Sequence, residues 1–107
     1  LNDVTAHAEM QAITAAAETL GGKYLRDCTL YVTLEPCLMC AGAIGWAQIP
    51  RIVIGASDPK RGYTSFIARP EGGASGATPF HPKATVTTGV LADECLELLR
   101  SFFQARQ

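Results

Sequence analysis

A chain of 107 residues with a formal net charge of −1 has room for one core and one domain, since domains commonly run to about 100–150 residues. With 48% hydrophobic and 18% charged residues, it falls among ordinary globular chains and outside disordered or collagen-like ones. There is no overall basic field for nucleic acid, no apolar run of the roughly 20 residues that cross a membrane, and no signal-peptide pattern, so the expectation is a cytoplasmic protein whose contact with any polyanion is local.

Asp3 or Thr5 is a candidate cap for a helix over Ala6 to Leu20. Ala8, Ala12, Ala15, Ala16 and Leu20 give it a small-residue face suited to lying flat against a sheet, and Gly21-Gly22 ends it. Thr29 to Leu34, rich in β-branched, aromatic and aliphatic residues, reads as a buried strand. Pro36 stops the strand and favours the start of a second helix, Cys37 to Ala47, whose first turn carries Cys37 and Cys40, with Glu35 as its cap. Arg51 to Gly55 is another buried strand, and this order with short joins predicts parallel pairing through a right-handed crossover.

Asp58 to Gly62 is a turn. From Tyr63 to Pro82 the composition shifts to Gly, Pro, Ser and Ala, which predicts a long surface loop. Its Gly72-Gly73-Ala74-Ser75-Gly76 tract follows no strand and lacks the spacing of a phosphate cradle. A short third strand falls within 84–90, and a last helix runs to about Arg106 with Leu96, Leu99, Phe102 and Phe103 at core-facing helical spacing.

The chemistry concentrates in His7-Ala8-Glu9 and Glu35-Pro36-Cys37-Leu38-Met39-Cys40. A catalytic zinc takes three protein ligands and leaves a fourth position for water; His7, Cys37 and Cys40 supply that set. Two cysteines three apart in a first helical turn can point the same way, and the free N–H groups of that turn favour their thiolate form. Glu9, two residues after the histidine, can sit beside the open position as proton shuttle without binding metal. Cys-x-x-Cys alone is shared with structural zinc sites and redox dithiols, but a fourth ligand in paired spacing is missing here, because Cys28, Cys95 and His81 stand apart. Cys28 and Cys95 read as small buried apolar side chains, His81 as a loop anchor, and Trp46 as a core or interface residue. Lys60, Arg61, Arg69, Lys83, Arg100 and Arg106 form a phosphate-contacting rim only if the fold gathers them.

His-x-Glu followed by Pro-Cys-x-x-Cys is the signature of zinc-dependent nucleobase deaminases. Together with Thr29-Leu30-Tyr31-Val32-Thr33-Leu34, Ala41-Gly42-Ala43, Ile54-Gly55-Ala56 and Gly89-Val90-Leu91-Ala92-Asp93-Glu94-Cys95, it makes the chain similar to the cytidine deaminase-like superfamily, and within it to the bacterial tRNA-specific adenosine deaminases. The resemblance implies a three-layer α/β/α sandwich on a mixed sheet with parallel strands near 29–34, 51–55 and 84–90. It further implies one Zn²⁺ per chain, a homodimer, and conversion of the wobble adenosine of a tRNA to inosine; the small residues of the helix from Cys37 to Ala47 make it the candidate dimer surface. His7, Cys37 and Cys40 match its zinc ligands and Glu9 its shuttle, while Ala8, Asp58, Phe103 and Arg106 fall where the substrate is bordered. Family members carry a helix and a hairpin before the His-Ala-Glu helix. The expectation is therefore a single domain over 1–107, trimmed at its amino terminus, whose sheet has an unpaired edge. Two rival readings remain at this point: a deaminase of free guanine or cytosine, and a zinc-stabilised module without chemistry.

Overall fold

The computed structural model describes residues 3–67 and 78–105, the last three of them by backbone alone. In chain order the elements are α1 (Ala8–Leu20), β1 (Thr29–Leu34), α2 (Leu38–Trp46), β2 (Arg51–Ala56), a 3-10 turn (Tyr63–Ser65), β3 (Thr85–Thr87) and α3 (Ala92–Ala105). The strands form one sheet in the order β1-β2-β3, parallel throughout, with Val32 opposite Ile54 and Ile52 opposite Val86. The antiparallel strands of a mixed sheet have no counterpart among the described residues.

Alternation along β2 sorts the layers. Ile52 and Ile54 join Ala41 and Ile44 of α2 in the core, with Tyr63 and Phe80 closing it in an edge-to-face pair 5.0 Å between centroids. On the opposite face a Cβ at Gly55 would run into Cys95 of α3, so that helix lies close over the sheet. Two helices on one side and one on the other give the α/β/α sandwich. Each fully buried Ile or Phe here contributes about 1.5–3 kcal/mol relative to exposure, and β2, buried over five of its six residues, is where that burial concentrates.

Several elements depart from expectation. β1 is an edge strand and not a buried one: Leu30 and Val32 pack on the core while Tyr31 stays 70% exposed. α1 begins two residues later than expected, and Asp3 does not cap it; the Asp3 carboxylate accepts from the Thr5 amide and hydroxyl in a local turn of its own. Nor does the Ala8, Ala12, Ala15 face lie flat on the sheet. The half-buried stripe of α1 is Glu9, Ile13 and Ala16, at the i, i+4, i+7 spacing, and α1 packs against α2. In α3 the half-buried stripe is Ala92, Cys95 and Leu99, whereas Leu96 and Phe102 are exposed, which removes both from the core. Trp46 is also exposed. His81 anchors its loop, its Nδ1 accepting from the Lys83 amide. Of the surface loop expected between Tyr63 and Pro82, residues 68–77 lie outside the described residues, the glycine tract among them.

Candidate active site

In parallel sheets the carboxyl ends of the strands open onto the ligand crevice. β1 leads directly into Glu35-Pro36-Cys37 and β2 into Ser57 and Asp58. Cys37 is the residue before α2, with extended backbone (φ −69°, ψ 170°), and Cys40 lies in its first turn, fully buried. The Ala41 amide donates to the Cys37 carbonyl at 2.8 Å, which starts the helix and fixes the spacing of the two thiols.

His7 occupies the equivalent position before α1, also extended (φ −66°, ψ 158°), and its side chain makes no capping bond to its own helix. The ring turns instead to the thiols, with Nδ1 at 3.6 Å from Cys37 Sγ and 3.5 Å from Cys40 Sγ. Ideal tetrahedral zinc, with Zn–S near 2.3 Å and Zn–N near 2.05 Å, separates N from S by about 3.6 Å. All three ligand atoms lie within 4.8 Å of one another, so one ion fits among them through Nδ1, leaving a position open. Among the described residues no other such group of histidine, cysteine and carboxylate side chains occurs.

The Cys40 thiol does not behave as the helix-terminus argument predicts. Burial pushes the Cys40 thiol up to about 12, helped by its hydrogen bond with Cys37 and by the negative charges of Glu9 and Cys37. A cation bound beside the thiols would oppose that preference.

Glu9, in the first turn of α1, lines a cavity of about 570 Å³ with His7, Ala8 and Cys37, while Leu30 to Glu35, Asp58 and Arg61 form its other walls. The positions expected at Ala8 and Asp58 thus open onto this cavity. The side chain of Phe103 and all of Arg106 lie outside the described residues. Of the basic residues, Arg61 reaches the cavity; Lys83 lines a separate pocket with Arg26, Gln48, Pro50 and His81, and Arg100 pairs with Glu97 at 3.1 Å.

Glu35 does not cap α2, whose capping position is Cys37. Its carboxylate, in a side chain only 7% exposed, accepts from the Asp58 amide at 3.1 Å through Oε1, and from the Thr64 amide and hydroxyl at 2.9 and 2.7 Å through Oε2. The sequence held a signal for this. A residue before proline is extended, and Glu35 lies two positions ahead of the capping position, out of reach of the first amides of α2.

Residues 1–105 match the family described as MafB19-like deaminase. A tRNA-specific adenosine deaminase of Agrobacterium fabrum is 43% identical over 100% of this chain and 68% of its own length, and one of Bacillus subtilis is 42% identical over 92% and 59%. The chain therefore spans between about three fifths and two thirds of these curated relatives. Among solved structures, one from a study of A-to-I editing by deaminases at the wobble position of transfer RNA superposes with a TM-score of 0.74 at 42% identity, covering 91% of this chain and 67% of the other. A guanine deaminase from Nitrosomonas europaea superposes with a TM-score of 0.68 at 30% identity, covering 92% and 57%.

Proposed function

Because the chain belongs to the MafB19-like deaminase family, we propose that it hydrolyses the exocyclic amino group of a nucleobase, and that the base is the wobble adenosine of a tRNA, which becomes inosine. The observation that carries this reading is the donor triad: one imidazole nitrogen 3.5–3.6 Å from two thiols, with a carboxylate, Glu9, on the wall of the adjoining cavity. A scaffold module would have no use for that carboxylate.

In this reading His7, Cys37 and Cys40 hold one Zn²⁺. Bound there, zinc would supply a Lewis-acidic position that makes a water acidic near neutral pH. Glu9, on the cavity wall, would take a proton from the attacking water as its oxygen bonds to the amino-bearing ring carbon, and deliver it to the neighbouring ring nitrogen. A second proton, from the newly added hydroxyl, passes through Glu9 to the amino group as the carbon–nitrogen bond breaks. One water is consumed and one ammonia leaves. Ala8 and Asp58 border the base and its flanking nucleotides; the contacts implied for Phe103 and Arg106 fall on side chains outside the described residues. Ligating thiols must stay reduced, which favours the cytoplasm; no helix among the described residues is long and apolar enough to cross a membrane. A homodimer through α2 is supported by the exposed Leu38, Met39 and Trp46 along that helix.

The test offers the zinc-loaded protein an anticodon stem-loop beside free guanine, cytosine and adenosine. Inosine in the stem-loop with no turnover of free bases is the expected outcome. Turnover of guanine alone would replace the tRNA reading with that of the guanine deaminase it resembles at 30% identity.

A further inference from the structure

Among the described residues, Glu35 is the one buried charged side chain, and the chemistry above does not use it. Its two oxygens face three donors. The Asp58 amide bonds to one, and the Thr64 amide and hydroxyl bond to the other. Gly62 lies directly beneath the carboxylate, where any Cβ would collide with Glu35 Cδ and Oε2. The same loop is joined to the thiol turn twice more: the Tyr63 amide donates to the Pro36 carbonyl at 2.9 Å, and Cys37 and Gly62 form an antiparallel bridge. Asp58 Oδ1 accepts from the Lys60 and Arg61 amides at 3.1 and 3.0 Å, so the turn that carries Arg61 to the cavity wall hangs from the residue Glu35 holds.

We propose that Glu35 is a positioning residue: its buried carboxylate fixes the loop from Asp58 to Thr64, one wall of the substrate cavity, in register with the turn that carries Cys37 and Cys40. The role goes beyond packing because it demands a carboxylate. Two backbone N–H groups approach separate oxygens, and both can only donate. Glutamine has the same shape but offers one oxygen and one NH₂, so one amide is left facing another donor inside the protein. A buried donor without an acceptor is disfavoured strongly enough to move the loop. The inference that this register matters for substrate rests on the deaminase reading; the loop's dependence on Glu35 does not.

The experiment compares wild type, Glu35→Gln and Thr64→Val, which deletes the hydroxyl contact and keeps the backbone N–H. Amide hydrogen exchange at Asp58 and Thr64, zinc content, and kcat and KM on the anticodon stem-loop are read for each. In Glu35→Gln the expected result is an exchange rate at one or both amides raised about tenfold or more, full zinc content, and KM raised about tenfold with kcat changed less. Thr64→Val should move KM in the same direction and by less, and it carries the test if Glu35→Gln fails to fold. Unchanged exchange with unchanged KM would overturn the proposal. So would loss of zinc from folded Glu35→Gln, since Glu35 would then serve the metal turn and not the loop. If wild type turns over no base while the variant still loses amide protection, the deaminase reading fails and the fixing of the loop by Glu35 stands.

Discussion

Cys40 reaches the site from a helix whose inner residues, Cys40, Ala41 and Ile44, have no exposed surface, whereas His7 and Glu9 come from a helix with no buried residue among those described. The thiol half is set by the core: Ile44 packs with Ile52 and Ile54, and the close approach of Gly45 to the Pro79 carbonyl leaves α2 no room to shift. The imidazole half depends on the packing of Ile13 and Ala16 and on the local turn from Asp3 to His7. The site is thus assembled from one half set in the core and one half held by fewer buried residues, and the two already stand at the spacing that would fit one ion.

Breaking the chemistry while leaving both halves in place should have the largest effect. Glu9→Gln is expected to lower kcat on the true substrate by about 10²–10⁴-fold, with zinc content unchanged, as single-turnover ammonia release and metal analysis would report. The stability contrast comes next. Ile44→Ala, in the rigid half, should cost about 2–5 kcal/mol in urea unfolding, and the half-buried Ile13→Ala about 1 kcal/mol or less. Equal losses would erase the distinction between α1 and α2.

A third expectation follows from the Cys40 proton. The ordinary thiol value is 9.0 and the folded one about 12, so below about 9 both folded and unfolded chains keep the proton. As pH rises from about 9 to about 12 the unfolded chain releases it while the folded chain holds it, and the stability of the metal-free protein falls through that window. With zinc the thiol is already ionised as a ligand, and this particular loss should disappear. Urea midpoints of apo and zinc-loaded protein across the alkaline range would show it. The smallest effect is expected at Trp46→Ser, on exposed surface: folding stability within about 0.5 kcal/mol of wild type, with a weakened dimer in analytical ultracentrifugation if α2 forms that surface.

What was legible in the sequence follows the same division. Thr29 to Leu34 and Arg51 to Gly55 could be placed, the second one residue short of β2, because β-branched runs bounded by polar joins and proline are strong local signals, and Pro36 marks where α2 begins. His7, Cys37 and Cys40 were found by chemistry and spacing, although nothing local says that residues 30 apart in the chain meet at 3.6 Å. The face of α1 was misassigned because a helix of alanines carries little hydrophobic contrast, so its buried stripe is chosen by the neighbours it meets. Phe102 was assigned to the core by the same periodicity, yet α3 turns Ala92, Cys95 and Leu99 inward. Glu35 was the costliest misreading, since its partners at Asp58 and Thr64 are tertiary and no local pattern announces them.

The most direct test of the account is zinc analysis of freshly purified protein alongside His7→Ala, Cys37→Ser and Cys40→Ser. One zinc per wild-type chain is expected, with a marked loss of it in each of the three variants. Wild-type protein without zinc, or variants that retain it fully, would contradict it.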